Sequence, residues 1–207
     1  MDLASLNQCN RGAGQQSIAG IILAAGGSSR FGKPKQLIEW QGEPLVRRVS
    51  RIARIANLNP VIVVTGSAGD EVQESLKGLD VVLVHNDEWA AGQSTSLKAG
   101  LNILDRDSCR GCIFLLADQP QVTVTVIWGL IEEHMRTNSH IIAPLVMGQR
   151  CNPVLFDLIT FPDLMNIQGD QGGRAIFSQH PVHYMEWLDQ KLLIDIDSPD
   201  DLAKLET

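Results

Sequence analysis

Ile18-Ala19-Gly20-Ile21-Ile22-Leu23-Ala24-Ala25-Gly26-Gly27-Ser28-Ser29-Arg30-Phe31-Gly32-Lys33-Pro34-Lys35 runs from an unbroken apolar segment directly into a small-residue, basic turn. Residues 18–23 read as a strand buried on both faces, because the run has no polar alternation. Gly26 and Gly27 then permit a tight turn whose backbone N–H groups converge on an anion. Arg30, Lys33 and Lys35 gather positive charge there, although the chain as a whole carries a net charge of −7. A strand, a glycine turn and a basic flank describe a polyphosphate site.

The segment from Gly27 to Lys33 also fits G-x-x-x-x-G-K, the opening of a P-loop. The next position of that motif is Ser or Thr, whose hydroxyl holds magnesium. Here it is Pro34, which has neither hydroxyl nor N–H and turns Lys33 away from a helical backbone. The P-loop reading is therefore rejected, and the turn alone reads either as another class of phosphate site or as a glycine-rich turn with solvated lysines.

Composition bounds the rest. With 207 residues, 44% hydrophobic and 20% charged, the chain reads as one globular domain over 18–207 behind a polar, flexible tail at 1–17. The acidic balance argues against nucleic-acid binding, and no apolar stretch is long enough to cross a membrane. The tail has no apolar core of a secretory signal, so a cytoplasmic, reduced protein is expected. The cysteines Cys9, Cys109, Cys112 and Cys151 are too few for a disulfide framework. Cys109-Arg110-Gly111-Cys112 has no second metal-binding pair and is read as two incidental cysteines in a turn.

Apolar runs at 18–23, 60–65, 80–85, 112–116, 140–144, 152–156, 182–185 and 192–197 predict strands. Helical patterns fall at 44–56, 70–76, 94–104, 124–135, 172–178 and 199–205. The alternation predicts an α/β protein: a three-layer α/β/α Rossmann-like domain with a mostly parallel, mixed sheet. Ligands in such sheets bind beyond the carboxyl ends of the strands. The residues there are the opening turn, then Gly92, Ser94 and Ser96, then Asp118 after the run 113–117. Ser94 reads either as a helix cap or, with Ser96, as a contact to a base or ribose. Asp118 reads either as a turn residue before Pro120 or as a magnesium ligand beside phosphates. Asp195 and Asp197, two apart on the predicted strand 192–197, share a face, and one of them is placed to complete that metal site. Gln149-Arg150-Cys151-Asn152-Pro153 and Gly169-Asp170-Gln171-Gly172-Gly173-Arg174 are polar loops suited to a second anionic substrate.

In this order the motifs resemble the MobA-like nucleotidyltransferase family, and within it the molybdenum cofactor cytidylyltransferase branch. The family pattern L-A-A-G-x-S-x-R-x-G-x-x-K is matched by Leu23, Ala24, Ala25, Gly26, Ser28, Arg30, Gly32 and Lys35. The resemblance continues through Gly42-Glu43-Pro44-Leu45, Gly92…Ser94…Ser96-Leu97 and Asp118-Gln119-Pro120. It closes with Arg150…Asn152-Pro153-Val154, Gly169-Asp170…Gly172…Arg174 and 195–202. Ala25, where guanylyl-transferring relatives read glycine, is similar to the cytidylyl branch. Cys151 and Gly173 depart from it, standing where the branch has glycine and alanine.

The resemblance implies a nucleotide-diphosphosugar-transferase-like fold and transfer of CMP from CTP to molybdopterin-bound molybdenum cofactor, with pyrophosphate released. It implies that Leu23, Ala24, Ala25, Gly26, Gly27, Ser28, Arg30, Lys35, Ser94 and Ser96 bind the nucleotide. Arg30, Lys35 and Asp118 would be catalytic, Asp118 and Asp197 would hold Mg2+, and Arg150, Asn152, Asp170 and Arg174 would bind the acceptor. A molybdenum hydroxylase or its chaperone is the implied partner, and the histidines are left as structural or surface residues. GTP or another phosphorylated acceptor, such as a sugar phosphate or methylerythritol phosphate, would be served by the same residues. A non-catalytic accessory protein that delivers cofactor is the rival from outside the enzymes.

Overall fold

The computed structural model describes residues 17–27, 34–196 and 201. Its centre is β1 (Ser17–Ala24), flanked in parallel by β4 (Val61–Thr65) and β6 (Cys109–Leu116). β4 is buried at all five of its residues, as a strand covered on both faces must be. Outward from β4 lies β5 (Val82–His85). Beyond β6 come β9 (Val154–Asp157), β7 (Ile141–Val146) and β10 (Val182–Glu186). The order is β10-β7-β9-β6-β1-β4-β5, with the short β8 (Gln149–Arg150) paired to β7. β9 runs antiparallel to both of its neighbours and β8 antiparallel to β7, while the other pairs are parallel. The expected mostly parallel, mixed sheet is present.

Side chains alternate across β1, so Ile22 and Ile21 enter different cores. Ile22 packs with α1 (Leu45–Ile55) and α4 (Val124–Thr137) through Val49, Ile127 and Leu130. Ile21 packs with α3 (Gln93–Asn102) and α5 (Phe161–Asn166) through Leu97, Leu101 and Phe161. These two cores make the three layers. Gly100 lets α3 sit directly on the sheet, because a methyl there would lie 2.5 Å from Ile21 Cγ2. The small α2 (Gly69–Ser75) and the hairpin β2–β3 (Glu39–Trp40, Glu43–Pro44) complete the described chain.

Several sequence expectations change. Residues 192–196 do not form the strand expected at 192–197, and Asp197 lies outside the described residues. Gln190–Leu193 is a 3₁₀ turn started by Asp189, which accepts from Lys191 N–H at 3.0 Å. The apolar alternation of Ile194 and Ile196 comes instead from packing against Ile38, Trp40 and Leu45 of the hairpin region. The helix expected at 172–178 is the single 3₁₀ turn Gly173–Ile176. The helix expected at 199–205 falls outside the described residues except for Asp201. α5 was not foreseen. The C-x-x-C lies inside β6 rather than in a turn. A register shift there pairs Ser17 with Cys109 and Ile18 with Gly111, leaving Arg110 as the extra residue of a bulge. Both thiols are buried, and burial pushes the pKa of each upward.

Candidate active site

The end of β1 and the end of β6 are held side by side, because Ala117 N–H donates to Leu23 O at 3.2 Å. This places the turn at Ala25–Gly27 next to Asp118. Beyond the sheet, Ala25 O accepts from Ser67 N–H at 3.4 Å. Gly26 O accepts from Ser67 Oγ at 3.3 Å and from Gln36 Nε2 at 3.4 Å. A trans peptide sends its N–H opposite to its C=O. With these two carbonyls held on one side, the N–H groups of Gly26 and Gly27 are turned to the other. Trp89 walls the turn: a methyl on Gly27 would stand 2.9 Å from Trp89 Cζ3. On Gly66 it would stand 2.6 Å from Ala25 O and 2.8 Å from Trp89 Cγ.

Two adjoining clefts open at this end of the sheet. The first, of about 780 Å³, lies between Ala24–Gly27, Lys35, Gln36, Trp89 and the start of α3. The second, of about 470 Å³, is lined by Gln119, Arg150, Cys151, Asn152, Arg174 and Asp195. They share Leu23, Gln93, Leu116 and Asp118. Among the described residues Asp118 is thus the one carboxylate that borders both.

Most residues singled out in the sequence reach one of these clefts. Leu23, Ala24, Ala25, Gly26, Gly27, Lys35 and Ser96 line the first, and Arg150, Asn152 and Arg174 line the second. Ser94 does not: it sits inside α3, buried, and its N–H donates to Gly169 O at 3.2 Å. The helix cap is Gly92, at φ 117°, not Ser94. Asp170 lines the first cleft rather than the second, and its Oδ1 accepts from Gln93 N–H at 3.3 Å. It therefore sits at the N-terminus of α3, apart from the arginines with which it was grouped. Ser28, Arg30 and Asp197 lie outside the described residues.

Several residues shape the site beyond those singled out as binding or catalytic. Asn86 donates to Ser96 Oγ at 2.9 Å and to Thr95 Oγ1 at 2.8 Å, and accepts from Glu88 N–H at 3.0 Å. It fixes the loop that carries Trp89. Gln119 Nε2 donates to Asp195 Oδ1 at 2.7 Å, and Gln121 Nε2 donates to Ile194 O. Arg48 donates from Nε to Pro120 O at 3.0 Å while its guanidinium lies 4.4 Å over the Trp40 ring. Glu43 accepts from Arg51 and pairs with Arg48. The hydrogen bond from Arg51 lowers the Glu43 carboxyl below its ordinary range despite some desolvation. The segment 118–121 is therefore braced from both sides. The only sequence signal for this was the motif Asp118-Gln119-Pro120 itself.

The second cleft is cationic at its rim. Arg150 lies 5.7 Å from the Phe177 ring, and Arg174 donates to Arg150 O at 3.4 Å. Cys151 is buried, and desolvation pushes its thiol up to about 11, so at neutral pH it is an uncharged wall. Gly173 is explained by Phe156, since a methyl there would stand 2.5 Å from Phe156 Cζ. The aromatic ring occupies the space an alanine would use.

Among the described residues, no group of three or more His, Cys, Asp or Glu side chains gathers to hold a metal. Asp118 and Asp195 are the carboxylates that line the second cleft. So sparse an all-oxygen donor set suits a hard divalent cation that keeps waters and takes phosphate oxygens, not an all-protein cage. None of the five histidines lines either cleft.

The chain matches the family described as the MobA-like NTP transferase domain over residues 20–184. It is 29% identical to the molybdenum cofactor cytidylyltransferase of Escherichia coli (strain K12) over 193 residues, covering 87% of this chain and 91% of that one. The crystal structure of Rv0371c from Mycobacterium tuberculosis H37Rv superposes with a TM-score of 0.81 at 26% identity, covering 93% and 99% of the two chains. A complex of Rv0371c with manganese superposes at 0.75 with 27% identity, covering 92% and 98%.

Proposed function

Because the chain belongs to the MobA-like NTP transferase family, we propose that it transfers CMP from CTP to a molybdopterin-type acceptor and releases pyrophosphate. The observation that carries this reading is the position of Asp118, on the wall common to a glycine-turn cleft and an arginine-rimmed cleft. Nucleotide and acceptor then meet at one carboxylate. The likeness to the E. coli cytidylyltransferase and the alanine at position 25 favour CTP as the donor.

An acceptor phosphate oxygen forms a bond to the α-phosphorus of CTP, and the bond from that phosphorus to the α,β-bridging oxygen breaks. The attacking phosphate is already an anion at neutral pH, so no general base is required. Catalysis is positioning and charge neutralisation. Gly26 and Gly27 offer N–H groups to the triphosphate, and Lys35, with Arg30 outside the described residues, balances its charge. Ser96 faces the nucleoside side. Arg150 and Arg174 take the acceptor's phosphate, with Asn152 beside them. Asp118, with Asp197 from beyond the described residues, would hold Mg2+. That ion supplies charge neutralisation at the phosphate oxygens. The manganese complex of Rv0371c supports a divalent cation here. The product would pass to a molybdenum hydroxylase or its chaperone in the cytoplasm. Among the described residues no helix is long and apolar enough to cross a membrane.

The test is pyrophosphate release by the purified full chain with CTP or GTP, with and without molybdopterin-bound molybdenum. The expected result is release that needs CTP, the acceptor and Mg2+, and that stops with a chelator. Equal turnover with GTP would overturn the nucleotide. Turnover only with a sugar phosphate or methylerythritol phosphate would overturn the acceptor. Nucleotide binding with no release for any acceptor would make the protein an accessory.

A further inference from the structure

Gln93 opens α3 and, among the described residues, is with Asp118 one of the two polar side chains bordering both clefts. Its backbone is pinned from the acceptor side. Gln93 N–H donates to Asp170 Oδ1 at 3.3 Å, and the next N–H, of Ser94, donates to Gly169 O at 3.2 Å. A methyl on Gly92 would meet the Gly169 carbonyl at 2.4 Å, so the 169–172 backbone lies directly against the first turn of the helix. The side chain is steered from the same loop: a methyl on Gly172 would stand 2.7 Å from Gln93 Oε1. Yet no described residue shares a hydrogen bond with the Gln93 carboxamide, while Asn86, Gln119 and Gln121 of the same region each bond a protein partner. A carboxamide held at the junction of the two clefts, and bonded by no described residue, is placed to serve a ligand.

We propose that Gln93 is a substrate-contacting residue for the transfer. Its Nε2 donates to a phosphoryl oxygen at the point where nucleotide and acceptor meet. Its anchorage to Asp170 and Gly172 makes the grip on the nucleotide depend on the loop that also carries Arg174. The inference rests on the phosphoryl-transfer reading of the site. A neutral amide suits this position, because it donates to phosphate oxygen without contributing a charge that must be desolvated when the clefts fill.

The test compares wild type with Gln93→Met, Gln93→Glu and Gly172→Ala for melting temperature, pyrophosphate release and nucleotide affinity by calorimetry. Gln93→Met keeps the volume and loses the donor. It should melt within a few degrees of wild type and lose about 10-fold to 100-fold in kcat, the range for a hydrogen bond to a charged group. Gln93→Glu should be slower still, through repulsion. Gly172→Ala should resemble Gln93→Met, because its methyl displaces Oε1. Wild-type turnover with all three variants within twofold in kcat and both KM values would overturn the inference. Should wild type release no pyrophosphate, the functional reading fails, and affinity for whichever of CTP or GTP it binds decides on Gln93. A drop of about 10-fold or more in Gln93→Glu sustains it, and equal affinity overturns it.

Discussion

Gln119 Nε2 donates to Asp195 Oδ1 across 2.7 Å, joining the residue after Asp118 to a carboxylate 76 positions further along the chain. The pair closes one side of the arginine-rimmed cleft. It holds Asp195 although the stretch around it is not in the sheet.

Replacing Gln119 tests that closure. Gln119→Glu sets two carboxylates in place of a hydrogen bond and should raise the acceptor KM by about 10-fold or more, the cost of losing a bond to a charged group. Nucleotide affinity should change little, because Gln119 does not line the first cleft. Steady-state kinetics varying each substrate separately would show the split.

Asp118→Ala should fold normally and lose pyrophosphate release by about 100-fold or more. The side chain stands at the strand end, where it borders both clefts and is not part of either core. A circular dichroism melt alongside the assay separates the two effects, and near-normal turnover by a folded variant would remove Asp118 from the metal and from catalysis. Lys35→Ala should likewise lower kcat far more than it lowers melting temperature.

Gly66→Ala probes the brace behind the phosphate turn. The added methyl faces Ala25 O at 2.6 Å and Trp89 at 2.8 Å, and a backbone oxygen cannot step aside as a flexible side chain can. The expected loss is about 1–3 kcal/mol in denaturant unfolding, with weaker CTP binding because the turn must shift. Unchanged stability and affinity would mean that the turn is not held in this geometry.

Asp157 sets an acid-side limit on stability. Burial pushes its carboxyl up, but His134, 3.3 Å away, and the N–H of Ile159 at 2.9 Å outweigh burial and bring it below its ordinary value. A carboxyl depressed in the folded state adds stability above its unfolded pKa, and that stability is lost as pH falls through the folded pKa. Asp157→Asn should therefore cost about 1–3 kcal/mol near neutrality and flatten the decline in acid. Urea unfolding from pH 7 down to pH 3 would reveal it; parallel curves for both proteins would contradict it.

The parallel centre of the fold was legible because β1, β4 and β6 are apolar runs that need no partner to be recognised. Their ends led to the turn at Gly26 and to Asp118, which line one cleft at that end of the sheet. The direction of β9 was not legible, since a buried strand has the same pattern whichever way it runs. The run 192–197 misled because packing against a hairpin imitates the two-residue period of a sheet. α5 was missed because Pro162, tolerated in a first turn, reads as a breaker in isolation. Asn86 and Gln93 carry no local signal, and Gln119 has only its place in the motif Asp118-Gln119-Pro120. Their roles depend on partners 10, 77 and 76 residues away.

The reversal of β9 has a mechanical consequence. Arg150, Cys151 and Asn152 lead into a strand whose Leu155 and Phe156 are paired on both sides, to Ile113 and Cys112 of β6 and to Ile142 and Ile141 of β7. That side of the arginine-rimmed cleft inherits the stiffness of an interior strand. The facing side, Gly172 to Arg174, hangs from a loop and a 3₁₀ turn. The cleft thus has one jaw set by a backbone ladder and one seated by packing, with Gly173 against Phe156 and Gly172 against Gln93.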